Sequence, residues 1–268
     1  MEQGCSYRKI ESSRIILNNN SIFVLSIKNK HMRQDQSISC SQCRNDLCFF
    51  KQYESSLNSA AVEAKKQQEY YLTGQYIIHE GSPIHGVYFV QKGKVKIFSS
   101  GLNSTPQIVR LVHAGESLCF RGYGRKTYLT DSVTLEDSRI CYFNEKDFIE
   151  LCDLSILSRH LVTYLGNELE IAEKRLKYLM QMNVREKTAE ALLFMKKSFG
   201  VNKNNELDVY MSRKDIACIA GTSEELIIRQ LSDFEKEKII LRREHGTRIA
   251  LLDEKRLEKL VSKYNALI

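Results

Sequence analysis

Ser155-Ile-Leu-Ser-Arg-His-Leu-Val-Thr-Tyr-Leu-Gly-Asn-Glu-Leu-Glu-Ile-Ala-Glu-Lys-Arg-Leu-Lys-Tyr-Leu-Met-Gln-Met182 is the stretch around which the rest of the chain is arranged. Its apolar residues Val162, Leu165, Leu169, Ala172, Leu176 and Leu179 stand at intervals that alternate three and four, the heptad seam of a coiled coil. Neither proline nor charge interrupts the seam, and Gly166 lies beside it. A lone helix has no use for so narrow a stripe, whereas two copies laid side by side each bury the other's, so a homodimer is expected. The same stripe would also serve to pack the helix on its own domain. Strand signals dominate before it and helix signals after it. The seam is therefore expected to pass a change from a sensor to a reader.

With 268 residues the chain has room for two modest domains, each with its own core. The 43% apolar and 27% charged content is ordinary for a soluble protein. The longest apolar run near the N-terminus, Ile22–Leu25, is too short to span a bilayer or to form a secretory core. A cytoplasmic protein with no membrane partner is expected. There, the eight cysteines suit reduced, metal-bound or reactive thiols better than disulfides. A net charge of +7 permits an anionic partner without singling one out, and Asn183–Ile268 holds 17 Lys and Arg against 14 Asp and Glu. No nucleophile–base pair, glycine-rich phosphate loop or paired carboxylates suggest an enzyme.

Met1–Ser39 has no clear period, contains the polar run Asn18–Ser21, and is expected to be loosely ordered. Cys40-Ser-Gln-Cys43-Arg-Asn-Asp-Leu-Cys48 then places three thiols within nine residues of a polar loop, a metal-ligand spacing for soft thiolates. A fourth ligand would come from Cys5, Cys119, Cys141 or Cys152. Cys152 and Cys218 read as small buried hydrophobes. Val62–Tyr70 reads as a short helix or connector. From Tyr71 to Ile97, β-branched and aromatic runs are punctuated by Gly74, Gly81, Gly86 and Gly93. Ile108–Leu111 and Val133–Phe143 continue the theme of an antiparallel roll or barrel.

After the seam, Arg185–Phe199 is amphipathic, with Ala189, Leu192, Leu193 and Phe199 inward and Gly200 as its stop. Leu207–Met211 reads as a strand. Ser212-x-x-Asp215 caps a short helix to about Ile219, Gly221 turns the chain, and Thr222-x-x-Glu225 caps a second helix, Ser223–Lys236, with Leu226, Ile227, Leu231 and Phe234 inward. Ile239–Leu252 forms two strands about Gly246. Helix–turn–helix followed by a hairpin is a winged DNA-binding module, whose second helix enters the major groove. On that helix Ser223, Glu224, Glu225, Ile228 and Arg229 face outward. Arg229 can fork onto guanine, Glu225 can accept from cytosine, and Ile228 can meet a thymine methyl. A capping role for Glu225 and an ion pair between Glu225 and Arg229 are the structural alternatives. Arg213, Lys214, Arg242, Arg243, Thr247 and Arg248 are expected on phosphates. Glu235–Lys238 reads as a solvated face.

Gly74…Glu80-Gly81…Gly86-Val-Tyr-Phe-Val…Gly93-Lys-Val-Lys-Ile resembles the cyclic-nucleotide-binding roll of the Crp/Fnr family of bacterial transcription regulators, a resemblance that runs from about Tyr71 to the C-terminus. It implies an α+β fold in four parts: an N-terminal segment with the Cys-rich loop (1–53), a β-roll sensor domain (54–150), a dimerisation helix (151–183) and a winged helix-turn-helix domain (184–268). It also implies a palindromic double-stranded DNA operator and RNA polymerase as partners, and it matches Glu225 and Arg229 to the family's Glu-x-x-x-Arg. Cys119 and Phe120 stand where the nucleotide-binding members carry Gly-Glu, and Tyr128 and Leu129 where they carry Arg-Ser/Thr, so no cyclic nucleotide is expected.

The Fnr branch is similar in Gly115-x-x-x-x-Phe120, in the cysteine-rich loop and in a lone late cysteine. That likeness implies a [4Fe–4S] cluster on Cys40, Cys43, Cys48 and Cys141, sensing oxygen or redox state. The loop here is C-x2-C-x4-C where the best-known Fnr spacing is C-x2-C-x5-C. A closed zinc site, or a metal-free regulator sensing a small molecule or thiol oxidation, are the alternatives. Ala172 occupies the seam place where Fnr-like sensors carry a charge, which implies a dimer that persists without its cofactor.

Overall fold

The alternating β-branched and aromatic residues between 67 and 144 build two antiparallel sheets that enclose an apolar interior. The computed structural model describes residues 15–18, 21–24, 37–53, 59–101, 106–118, 126–152, 155–244 and 248–264. Met1–Ser37 forms a unit of its own, in which strand β1 (Ile15–Asn18) pairs with β2 (Ser21–Val24). Within Met1–Ser39, expected to be loosely ordered, the described residues thus form two paired strands.

The second unit, Ile38–Ile268, starts with helix α1 (Ser59–Lys65) and the roll strands β3 (Gln67–Tyr71), β4 (Tyr76–Ile78), β5 (Gly86–Lys92), β6 (Val95–Ser100), β7 (Pro106–Val112), β8 (Asp131–Thr134) and β9 (Ser138–Asn144). One sheet runs β3-β9-β5 and the other β4-β8-β6-β7. The expectation of a helix or connector across Val62–Tyr70 holds only for its first part. Gln67–Tyr71 is an edge strand whose polar residues are drafted by pairing with β9, a tertiary partner outweighing weak local preference. Val133–Phe143 is two strands rather than one, parted by the turn at 135–137. Ile78, Val90, Val95, Ile97, Val112, Leu118, Tyr128 and Ile140 fill the roll.

Helix α2 (Glu145–Cys152) leads into α3 (Ser155–Leu179), which carries the seam. Val162, Leu169 and Leu176 are 70%, 59% and 65% exposed. Leu165, Ala172 and Leu179, the alternate positions, are half-buried against the chain itself. Packing of the stripe on its own chain therefore accounts for Leu165, Ala172 and Leu179 only. The seam row Val162, Leu169, Leu176 repeats every seven residues and is left exposed by the described residues.

Helix α4 (Val184–Phe199) opens on Asn183, whose side chain accepts from Glu186 N while Glu186 bonds back to Asn183 N. Helix α5 (Arg213–Ala220) has the expected Ser212–Asp215 box and ends at Gly221, which adopts φ 61°. Helix α6 (Glu224–Lys236) is followed by the hairpin β10 (Ile240–Arg243) and β11 (Arg248–Leu251) and by α7 (Glu254–Val261). The Thr222 cap is corrected: Ser223 caps α6, accepting from Leu226 N. The strand expected at Leu207–Met211 shrinks to isolated bridges from Leu207 to Val201 and from Glu206 to Ala250. Helix α7 was not anticipated, although Asp253 at its cap and Leu257 and Val261 on its buried face carry the signal.

The helical domain packs directly on the roll. Ile108 and Leu111 of β7 belong to one apolar cluster with Leu192, Ile216, Ile219, Ile227 and Phe234. Lys94 reaches Asp208 at 2.9 Å and Lys96 reaches Asp215 Oδ1 at 2.5 Å. Gln107 donates to the Cys218 carbonyl. Arg175 of α3, only 7% exposed, donates to the carbonyls of Ile108 (3.4 Å), Val109 (3.3 Å) and Ile219 (2.8 Å) and lies 4.2 Å over the Phe194 ring. Burial lowers its basicity to about 10, and burial pushes nearby Glu190 up to about 7. Arg175→Ala should leave those carbonyls without donors and open a cavity. We expect a loss of about 3 kcal/mol, read as a lower denaturant midpoint.

Candidate functional site

Four of the cysteines meet. Cys40, Cys43 and Cys48 from the loop and Cys141 from β9 line a single recess with Phe50, Val62, Phe89 and Phe143. Cys152 packs in the neighbouring apolar cluster but does not line the recess, and Cys5 and Cys119 lie outside the described residues. No disulfide joins the described cysteines. The thiols border the recess without converging on a point: among the described residues, no three His, Cys, Asp or Glu side chains are gathered as one metal ion requires.

The loop reaches this place because the residues after Cys48 are aromatic. Phe49 and Phe50 are buried, and the Phe50 ring lies tilted against Phe89 and Phe143, with centroids 5.0 Å and 4.9 Å away. Phe49 N bonds to Gly115 O at 3.3 Å. Gly115 holds φ +105°, and a Cβ there would come within 2.5 Å of the Leu47 carbonyl, so the loop can lie this close only over glycine. Asn45 adds a side-chain bond to Gln91 O at 3.2 Å.

Polar donors missed in the sequence surround the sulfurs. Gln68 Nε2 is 3.4 Å from Cys141 Sγ, Gln91 Nε2 is 3.4 Å from Cys43 Sγ, and Lys66 Nζ is 3.6 Å from Cys40 Sγ. Nothing in the local pattern marks these residues; sheet pairing and the loop's path bring them in. Burial pushes the Cys141 thiol up to about 11, and burial with the Glu63 carboxylate pushes Cys40 up to about 12. Burial therefore disfavours the thiolate forms of Cys40 and Cys141 even with the Lys66 ammonium beside them. In donor chemistry the recess fits a group that takes four thiolates.

The second candidate surface lies on the helical pair. Ser223, Glu225, Ile228 and Arg229 are all exposed along α6 as expected, while Ile227, Leu231 and Phe234 are buried and Leu226 is half-buried. With Ser223 as cap, Glu225 is not in a capping box, and among the described residues neither Glu225 nor Arg229 is held by an ion pair or hydrogen bond. Both structural alternatives for these two side chains are thus unrealised. Arg213 is half-buried and Lys214 exposed at the start of α5, neither in an ion pair among the described residues. Arg248 pairs with Glu244 at 3.0 Å on the hairpin surface. Arg243 reaches Glu206 at 3.2 Å with its side chain still 46% exposed. Arg242 is locked onto Glu235 at 2.6 Å. The segment Glu235–Lys238 is accordingly no plain solvated face: Glu235 holds Arg242, and Glu237 holds Arg185 and Arg256 at 2.8 Å each. Thr247 lies outside the described residues. No helix among the described residues is long and apolar enough to cross a membrane.

Comparison with known proteins adds two family matches. The cyclic nucleotide-binding domain matches residues 68–155, and the Crp-like helix-turn-helix domain matches residues 186–260. Electron transport regulator A of Shewanella oneidensis is 26% identical over 186 residues, covering 67% of this chain and 72% of its own. Transcriptional activator protein anr of Pseudomonas aeruginosa is 23% identical over 183 residues, covering 67% and 74%. The solved structure of FixK2 from Bradyrhizobium japonicum shares the fold with a TM-score of 0.64 at 21% identity, covering 73% of this chain and 96% of its own.

The raised thiols make a direct prediction. In metal-free protein at pH 8, Cys141 should react with iodoacetamide on the order of 100-fold more slowly than an ordinary cysteine, because its thiolate forms only near pH 11. Cys40 should be slower still, and unfolding in urea should abolish the difference. Peptide mass spectrometry over a time course reads it.

Proposed function

This chain belongs to the Crp/Fnr family of transcription regulators, and we propose that it acts as a homodimer whose DNA reading is governed by a redox- or oxygen-responsive group held on Cys40, Cys43, Cys48 and Cys141. The observation that carries the reading is the meeting of those four thiols in one recess, from a loop ending at Cys48 and a strand residue, Cys141, that lies 93 residues further along the chain. Four thiolates suit an iron–sulfur cluster, which supplies a centre sensitive to oxidation. A closed zinc site needs four sulfurs about 2.3 Å from one ion, and the described side chains are not gathered that way.

The chain's own residues connect the recess to the seam. Cys40, Cys48 and Cys141 pack in the same apolar cluster as Leu161, Tyr164 and Leu165 of α3. Phe49, next to Cys48, meets Tyr164 edge-on at 6.0 Å. Leu165 is itself a seam residue, so a shift of the loop is one packing layer from the surface we assign to the dimer. The uncovered row Val162, Leu169 and Leu176 supports that dimer, since a second copy supplies the matching row. Two readers then face successive major grooves of one duplex, with Arg229 and Glu225 on base edges, Ile228 beside them, and Arg213, Arg243 and Arg248 near phosphates. Arg242 is reassigned to bracing the hairpin through Glu235.

The roll is proposed to hold no cyclic nucleotide. Tyr128 stands at the place of the phosphate-binding Arg, is buried, and donates to Gly86 O at 2.9 Å. Leu129 beside it offers no donor for a phosphate.

Protein purified without oxygen should be brown, hold about four irons and matching sulfide per chain, and elute as a dimer. A colourless dimer with zinc or no metal would overturn the sensor assignment, and a monomer under every redox condition would overturn the seam. Arg229→Ala should cost on the order of 1–3 kcal/mol in operator binding and relax one base position per half-site, measured by titrating specific and random duplexes at one salt concentration.

A further inference from the structure

We propose that Gln68, Gln91 and Lys66 tune the group held by the four thiols, each directing an N–H at a different sulfur and so setting the reduction potential and the grip on metal. The proposal rests on the cluster reading above and goes beyond it by assigning the groups that control it.

The sheet register puts Gln68 directly opposite Cys141, so the two side chains share a face. Gln91 sits where the pairing of β5 with β9 slips between Val90 and Lys92, and such a slip re-aims one side chain out of the regular alternation. Each amide has its orientation decided by its oxygen. Gln68 Oε1 accepts from Ile38 N at 2.7 Å, and Gln91 Oε1 accepts from Arg139 Nη1 at 3.4 Å. A backbone N–H and a guanidinium can only donate, so the NH2 ends must face the sulfurs. Lys66 is steered the same way. Its Nζ is gripped by Ile38 O at 2.7 Å and Glu63 at 2.9 Å, with the side chain 4% exposed, and its remaining reach is toward Cys40.

Three of the four sulfurs thus meet a donor, and one of the donors is a buried cation. Reduction adds an electron whose charge the sulfurs share. An N–H aimed at sulfur stabilises that added charge, and a nearby ammonium offsets the excess negative charge of four thiolates. The amide oxygens do the scaffolding; the nitrogens are spent on sulfur.

The test compares the wild-type protein with Gln68→Met, Gln91→Met, Lys66→Met and Lys66→Arg, all purified without oxygen and all full length. Met keeps the volume and removes the donor, while Arg keeps both donor and charge. We expect each Met variant to shift the midpoint potential, read by mediated spectroelectrochemistry, to a more negative value. Iron loss to a chelator should quicken on the order of 10-fold, and Lys66→Arg should restore most of both. A merely structural side chain would change melting temperature but not the potential. Loaded variants with unchanged potentials and unchanged iron loss overturn the assignment. A Met variant too weak to load, with Lys66→Arg loading normally, supports it through the grip on metal. Wild-type protein that takes up no iron overturns the cluster reading itself and this assignment with it, a result distinct from unchanged potentials in a loaded set.

Discussion

One buried guanidinium holds the three working parts of the chain to each other. Arg175 projects from the long helix α3, takes carbonyls from roll strand β7 on one side and from the end of reader helix α5 on the other, and lies on the Phe194 ring of α4. Removing a charge from water costs several kcal/mol unless it is well bonded, and its Nε and Glu190 Oε1 nearby have no hydrogen-bond partner among the described residues. That cost is tolerated because no apolar side chain could satisfy carbonyls from both neighbours at once. Around this joint the apolar cluster runs without a break from Ile108 and Leu111 into the reader's core. Roll, helix and reader are consequently one packed body in this conformation, with the exposed face of α6 left open to solvent.

The two sensory features are joined by packing of a different kind. The thiol recess is lined by Phe50, Phe89 and Phe143, which share one apolar cluster with Phe49 and with Leu161, Tyr164 and Leu165 of α3. Aromatic side chains interdigitate at close to crystal density, so they transmit displacement rather than absorb it. The loop bearing Cys40, Cys43 and Cys48 is tied down by Asn45 and Phe49, by Cys40 N on Glu63, and through Ile38 by Gln68 and Lys66. A group binding all four sulfurs would join this loop to a strand in the middle of a sheet.

How much of this was legible in the sequence depended on the range of the interaction. The capping boxes at Ser212–Asp215, the glycine stop at Gly221 and the apolar period of α6 are local, and they stand where the residues imply. The Thr222 cap missed by one place because two adjacent hydroxyl residues offer the same chemistry, and only the chain's direction into the helix selects Ser223. Gln67–Tyr71 misled because its residues are poor strand formers that β9 recruits from far along the chain. The cysteine set could be guessed from spacing and family likeness. Its setting could not: Phe49 and Phe50, Gly115, and the donors Gln68, Gln91 and Lys66 come together only through sheet register and loop closure. Charge was a poor guide throughout, since Arg242 and Glu235 satisfy each other.

Asp215 divides its two oxygens between two duties. Oδ2 takes the Ser212 hydroxyl at the start of α5, while Oδ1 takes Lys96 of the roll. Removing Lys96 leaves the helix start intact, because the Ser212–Asp215 cap does not involve it. Removing Asp215 takes away the cap and the docking contact together. The junction is therefore lopsided: Lys96 has only the docking contact to lose, whereas Asp215 carries both that contact and the start of the reader helix.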